Sequence, residues 1–167
     1  YKRQVYYSFK NGAHKADLIR YFYLYHYGGV YIDSDAMLNK NVNVFIKNYN
    51  SVFVLDIRRI GIFNGVIGTT PNNPIIYNAL KEVINTPQSV LQKQYYYFCK
   101  DLLKKFNSFH SDNDYLYQEF PYRSRENGNG GMVLDCPSGT RTPKGDCLVI
   151  HYQNKKIIPR NHEIKNT

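Results

Sequence analysis

Apolar residues follow two rhythms along this chain. Between Gly12 and Tyr27 they recur at helical spacing, with Leu18, Ile19, Phe22 and Leu24 as a broad apolar surface and no proline to interrupt it. Asn11 stands where an N-cap belongs, and Gly28-Gly29 stands where a helix stops. Val30-Tyr31-Ile32 is a short β-branched and aromatic run that predicts a strand. The runs 51–57 and 60–68 predict two more. Past the loop TTPNNP, Pro74 opens a helix to about Ile84, and a second helix is expected from Gln88 to Phe106. From Asn107 to Gly131 the chain turns polar and predicts a loop. The runs MVLDC and CLVIHY predict two short strands. Helices alternating with strands point to an α/β layered domain, with no internal repeat and no low-complexity linker.

Length adds a bound: 167 residues and 19.6 kDa suit one domain, 1–167, ending in a basic tail over 153–167. An apolar share of 43% excludes a disordered class, and no apolar run reaches the roughly 20 residues of a membrane helix. The start, YKRQVYYSFK, lacks the pattern of a signal peptide and opens on Tyr1, so the sequence is expected to be a piece of a longer or processed chain. A cytoplasmic location is expected, or a secretory-pathway lumen if an anchor lies upstream.

Net charge is +9, which suits polyanions, anionic membranes or phosphate-bearing small molecules without choosing among them. Cys99, Cys136 and Cys147 lack zinc-site spacing. Cys136 and Cys147 flank a turn-rich segment and would bridge a hairpin in an oxidising compartment, although the reduced state is the expectation. Basic–aromatic clusters such as YYYFCK would suit nucleic acid. However, Tyr95, Tyr96 and Tyr97 sit at helical spacing, where core packing is the commoner use, and no nucleic-acid motif is present. A nucleic-acid partner is not expected.

The chemistry concentrates between Ala13 and Leu38. Asp33 and Asp35 follow the predicted strand at its carboxyl end, where open α/β sheets place ligands. Two apart on an extended segment, their carboxylates share a side, and two hard oxygen donors suit Mn²⁺ or Mg²⁺ bound together with substrate phosphates. Asp17 and Arg20, three apart, share a helix face. Taken singly, an Asp-rich turn or an i, i+3 ion pair is more often plain surface. Their joint order carries the weight.

That order, Ala16-Asp17, Arg20-Tyr21, Leu24, Tyr27-Gly28-Gly29, Tyr31, Asp33 and Asp35, resembles the glycosyltransferases of the DXD-containing sugar-binding type, family 32. The group includes yeast mannosyltransferases and is similar in arrangement to clostridial toxin glucosyltransferase domains. The resemblance is firm over about the first half of the chain, with Ile62 to Ile84 as its weaker continuation. It implies a GT-A-like (Rossmann-like) mixed sheet flanked by helices. The first strand–helix unit would be lacking, since only about ten residues precede the helix. It implies a retaining hexosyltransferase that takes a UDP- or GDP-sugar donor and a glycan, lipid or protein acceptor. By resemblance, Asp17 and Arg20 bind the donor sugar, Tyr31 supports the nucleotide or the strand, and Asn64 reaches the sugar from the next strand. Asp33 contacts donor and metal, and Asp35 is the stronger ligand to Mn²⁺ (or Mg²⁺). His151 completes the metal set, its alternative being a strand-end histidine bonded to backbone. No protein nucleophile is assigned. His14, His26, His110 and His162 are expected to be structural or surface residues. Asp101, Asp112, Asp114 and Glu119 are unassigned acids on the acceptor side. The missing unit leaves an incomplete or inactive nucleotide-sugar-binding domain as the alternative.

Overall fold

The computed structural model describes residues 2–91, 93–124, 128–134 and 147–151, with backbone alone for residues 2–3, 122–124, 128–134, 147 and 150–151. The elements run α1 (Lys2–Ser8), α2 (Gly12–Tyr27), β1 (Gly29–Ile32), β2 (Ala36–Leu38), α3 (Val42–Ile46), β3 (Ser51–Leu55) and β4 (Val66–Thr69). They continue with α4 (Pro74–Asn85), α5 (Gln88–Leu91), α6 (Tyr97–Phe109), β5 (Asp114–Ser124), β6 (Gly128–Leu134) and β7 (Cys147–His151). The fold is thus a mixed sheet with helices on its faces, as the alternating pattern predicts.

Helix α2 begins where Asn11 accepts from the Ala13 amide at 2.9 Å. It ends where the Gly28 amide bonds back to the Leu24 carbonyl at 3.0 Å. Gly28 has φ 65°, and a Cβ there would stand 2.7 Å from Pro71 Cδ and 2.8 Å from the Thr69 carbonyl oxygen. The helix therefore turns into β1 tightly against the loop after β4, an approach that only glycine permits. Helix α4 is capped by Asn73, which accepts from the Ile75 amide at 2.9 Å, with Pro74 in its first turn.

The strands lie in the order β1-β4-β3-β5-β6-β7-β2, and β3–β5 is parallel while the other pairs are antiparallel. Strand β5 serves two neighbours in series: residues 114–118 pair with β3 and residues 118–124 pair with β6. The two outermost strands, β1 and β2, are consecutive in the chain and joined by residues 33–35 alone. That link reaches at most about 15 Å. Six strand spacings in a flat sheet would span about 29 Å. The sheet therefore curls until its two ends meet at the Asp33–Asp35 turn.

Strand alternation sorts two cores. Phe53 and Ile67 face the helical layer and pack with Tyr21, Leu24, Ile76, Val83, Leu102 and Phe106. Val52, Val54 and Val66 face the other way and pack with Phe45, Tyr117 and Val149. Tyr117 stacks on Phe45 and donates its hydroxyl to the Phe45 carbonyl at 2.8 Å.

Several expectations are corrected. The helix expected over 88–106 is two helices, because turns from Lys93 to Val90 and from Gln94 to Leu91 close α5, and the Tyr95 carbonyl faces His14 Nε2 at 3.4 Å. Tyr95 and Tyr96 are exposed and not core. The apolar run 60–68 yields strand only from Val66, with a single bridge between Leu55 and Ile62 ahead of it. Strand β5 replaces part of the expected loop over 107–131. Cys136, its pairing with Cys147, and the 153–167 tail lie outside the described residues.

Replacing Gly28 by alanine is expected to lower the unfolding free energy by about 2 kcal/mol or more, since strain and a backbone clash combine. Gly12→Ala, with nothing within 4 Å of the added carbon, should stay within about 0.5 kcal/mol of the parent or gain slightly. Urea unfolding of both variants checks this.

Candidate active site

The fold brings four segments to one place: the middle of α2, the end of β1, the turn after it and the turn before β4. Arg20 is their centre. Its Nη1 donates to Asp17 Oδ1 at 3.0 Å, and its Nη2 donates to both Tyr31 Oη and Asp33 Oδ1 at 3.1 Å. The guanidinium lies over the Tyr31 ring, 4.2 Å from its centroid. Tyr31 in turn donates to Asp33 Oδ1 at 2.6 Å. Arg20 is 5% exposed and Asp17 8%.

A second chain of bonds holds Asp17 from behind. Tyr21, fully buried, donates its hydroxyl to Asn64 Oδ1 at 3.0 Å, and Asn64 Nδ2 donates to Asp17 Oδ1 at 2.9 Å. Burial pushes the Tyr21 phenol well up, so it stays a donor and fixes which way the Asn64 amide points. The sequence places Tyr21 in the motif without a role. Its signal was there, since it lies three residues from both Leu18 and Leu24 on the buried face of the helix.

Charge and burial compete here. Burial pushes the Asp17 carboxyl up, against the pull of Arg20 and of the Asn64 donor. Burial alone would lower Arg20, but Asp17 and Asp33 beside it hold it above its ordinary value. Tyr31 is raised by burial and by its bond to Asp33. Cys99, close behind Asn64, is pushed up to about 12 by burial, so its thiol stays protonated and is no nucleophile.

The Asp33–Asp35 segment corrects one expectation. It is a turn, closed by the Ala36 amide on the Asp33 carbonyl at 2.9 Å, and not an extended stretch, so alternation does not set its carboxylates. The backbone does so instead, because the Asp33 amide donates to the Gly65 carbonyl at 2.7 Å. The polar partners of Asp33 converge on Oδ1, while Oδ2 faces Gly65, where a Cβ would stand 2.8 Å away. The Phe63 ring already fills that place, so glycine is needed for ring and carboxylate to lie side by side. Asp35 is half-buried in the same turn. Ala36, the next residue, pairs with His151, so the end of β7 runs beside the turn. Asn64 also corrects an expectation: it sits in the turn before β4, not on a strand. Among the described residues, no three His, Cys, Asp or Glu side chains gather to hold a metal by themselves.

Of the acids left unassigned, Asp101 and Asp114 have structural partners. Asp101 pairs with Lys105 at 3.3 Å, and Asp114 accepts from the Ser111 amide at 2.8 Å. Glu119 is buried in β5. His14 is a buried residue packed against Phe98 and contacts the Tyr95 carbonyl.

Comparison with known proteins finds similarity in the segment that carries these residues. Residues 1–52, from α1 through the turn to the start of β3, match the family described as "Glycosyltransferase sugar-binding region containing DXD motif". The chain is 36% identical over 76 residues to mannosyl phosphorylinositol ceramide synthase SUR1 of Saccharomyces cerevisiae, covering 46% of this chain and 19% of that protein. It is 42% identical over 60 residues to inositol phosphoceramide mannosyltransferase 2 of Schizosaccharomyces pombe, covering 36% and 17%. It is 35% identical over 74 residues to the uncharacterized glycosyltransferase L373 of Acanthamoeba polyphaga mimivirus, covering 43% and 30%. The matched segments thus span less than a third of these relatives' length. No solved structure gives a significant match. The resemblance read from the motif therefore holds over the part of the chain that carries it.

Two outcomes follow from the buried pair. Arg20→Met leaves the buried Asp17 without its cation and is expected to lower the unfolding free energy by about 3 kcal/mol or more, read by urea denaturation. Because Asp17 holds its proton more tightly folded than unfolded, it takes stability away as pH rises from the usual carboxylate range toward its raised value. Asp17→Asn should therefore gain on the parent across that rise, and parallel stability–pH curves would contradict the burial argument.

Proposed function

We propose that this chain is the donor-binding part of a metal-dependent glycosyltransferase that moves a hexose from a UDP- or GDP-sugar to a hydroxyl acceptor. The observation that carries the reading is Asp33. Arg20 and Tyr31 pin one of its oxygens, and its side chain is still 31% exposed. The arrangement suits a divalent cation: two carboxylates share a turn, and one of them keeps an oxygen outside the bonds to Arg20 and Tyr31. Asp33, Asp35 and His151 would hold Mn²⁺ (or Mg²⁺), with His151 assigned on its backbone position beside the turn. When bound, such an ion offsets the negative charge that grows on the departing diphosphate.

The chain's own residues supply the rest. Arg20 sets a fixed positive charge beside the carboxylates, and its Nε is buried with no hydrogen-bond partner among the described residues. Asp17 and Asn64 hold the sugar hydroxyls, with Tyr21 fixing the Asn64 amide. Tyr31 keeps Asp33 in place. In the transfer the bond from the anomeric carbon to the diphosphate breaks, a bond to the acceptor oxygen forms, and the acceptor's proton leaves with the diphosphate. No side chain is assigned as nucleophile, in keeping with a retaining reaction that spares one. The names of the relatives support mannose as the hexose and a lipid-borne hydroxyl as one acceptor class. A GT-A-like fold accords with the mixed sheet and with the site at its strand ends.

A panel of UDP- and GDP-sugars, assayed with and without Mn²⁺ for released nucleotide, tests the proposal. One donor should release nucleotide only with metal. Asp35→Ala should cut that release about a hundredfold or more with the fold intact, while Lys104→Ala, an exposed α6 residue, leaves it unchanged. Equal rates for parent and Asp35→Ala would overturn the assignment. Metal-dependent nucleotide binding with no release would identify the inactive binding domain instead.

A further inference from the structure

Beside the first turn of α2 lies a cavity of about 350 Å³, lined by Lys10, Asn11, His14, Gln88, Leu91 and Tyr95. Three segments build it: the link before α2, the start of α2, and α5 with the turn that follows it. Buried residues give it depth, since His14 is 2% exposed and Leu91 1%. Exposed residues frame its mouth, with Tyr95 57% exposed and Lys10 open to solvent. None of the six belongs to the Arg20 network.

The lining is polar and incompletely bonded. The Nε2 atom of His14 faces the Tyr95 carbonyl at 3.4 Å, and its ring meets Phe98 edge-on with centroids 5.3 Å apart. Gln88 Oε1 accepts from the Lys10 amide at a long 3.4 Å, and its buried Nε2 has no partner among the described residues. A buried amide donor without an acceptor is costly. The last torsion of glutamine is soft, so the amide can turn its donor toward the cavity it lines. Lys10 pairs with no carboxylate among the described residues. Beside the mouth, Tyr95 meets Tyr96 edge-on at 5.0 Å, and the Arg58 guanidinium lies 4.9 Å from the Tyr96 ring centroid. No carboxylate lines the cavity, and Asp17, one turn along α2 from His14, is bonded to Arg20.

We propose that this cavity binds a single hydroxylated ring bearing an anionic group, of the kind a free sugar phosphate provides. Its volume lies near the lower end of the roughly 300–1,000 Å³ that ligand sites take, which is room for one substituted ring and not for a nucleotide-sugar. Amide, imidazole and phenol groups match ring hydroxyls, and an oxygen of such a ring gives the Gln88 donor the acceptor that the protein does not supply. The Lys10 ammonium at the mouth, Arg58 beyond Tyr96 and a wall without carboxylates favour a negative substituent. The Tyr95 ring offers an aromatic face to the ring carbons. The proposal stands apart from the sugar-transfer reading, because it uses no residue of the strand-tip site.

Calorimetric titration of the chain with glucose 6-phosphate at low salt tests this. Saturable one-to-one binding is expected, with glucose and inorganic phosphate each about tenfold or more weaker, since each supplies only part of the contacts. Lys10→Ala should weaken glucose 6-phosphate about tenfold, while Lys81→Ala, which removes the same charge from the exposed side of α4, leaves it unchanged. Gln88→Leu should also weaken it about tenfold and leave the urea midpoint unchanged or higher, because the unpaired donor goes with the side chain. A glutamine that served only packing would show the reverse. Gln88→Glu keeps an acceptor for the Lys10 amide but sets a carboxylate against the ligand, and should abolish binding. Asp35→Ala should bind as the parent does, whatever becomes of nucleotide release. Four results would overturn the proposal: no saturable binding, equal affinity for glucose or for inorganic phosphate, parent-like affinity in both Lys10→Ala and Gln88→Leu, or loss of binding in Asp35→Ala. The last would move the ligand to the strand tip.

Discussion

A guanidinium does not shed its charge in a protein interior and is costly there without partners. Arg20 meets that demand with two carboxylates, one on its own helix and one beyond the Gly28-Gly29 bend. It therefore fixes the angle between α2 and β1 as well as the place of Asp33. Everything else at the site is arranged around this charge: the Tyr31 ring beneath it, the Asn64 amide sharing Asp17, and the Tyr21 hydroxyl holding that amide. With Asp35 added, carboxylates outnumber guanidinium at the strand tip. A surplus of negative charge at a half-buried turn suits a cation better than it suits an anion alone.

The sheet explains why these residues meet. Its outer strands meet because so short a link joins them, and three strand ends gather there: the end of β1, the start of β4 and the end of β7. Gly65 lets the Phe63 ring pack beside Asp33, since any side chain there would collide with that ring and crowd the carboxylate. The same glycine offers its carbonyl to the Asp33 amide. One residue thus both anchors the aspartate and admits the ring that flanks it.

Local signals were legible in the sequence where local physics decides the outcome. Helix α2 and both its ends follow from Asn11, the apolar spacing and Gly28, and α4 follows from Asn73 and Pro74. The motif residues Asp17, Arg20, Tyr31, Asp33 and Asn64 do come together. What was not legible depends on distant partners. Strand β5 carries Gln118, Glu119 and Pro121 and looks like loop until β3 and β6 are placed beside it. The break between α5 and α6 reflects a turn and a carbonyl turned toward His14 on another helix. The relation between Asp33 and Asp35 comes from a turn and from Gly65, not from strand alternation.

The curled sheet has a consequence for the order in which the protein can be made. The helical layer and the β1-β4-β3 strands draw on contacts from the earlier part of the described chain, and they can form while synthesis continues. Strand β2, which follows Asp35 directly, has its partner in the last described strand. A ribosome-bound intermediate would thus carry Arg20 already clasped by Asp17 and Asp33, with β2 unpaired until β7 emerges. Quality control that senses only the helices would pass such an intermediate, although its sheet is not yet closed.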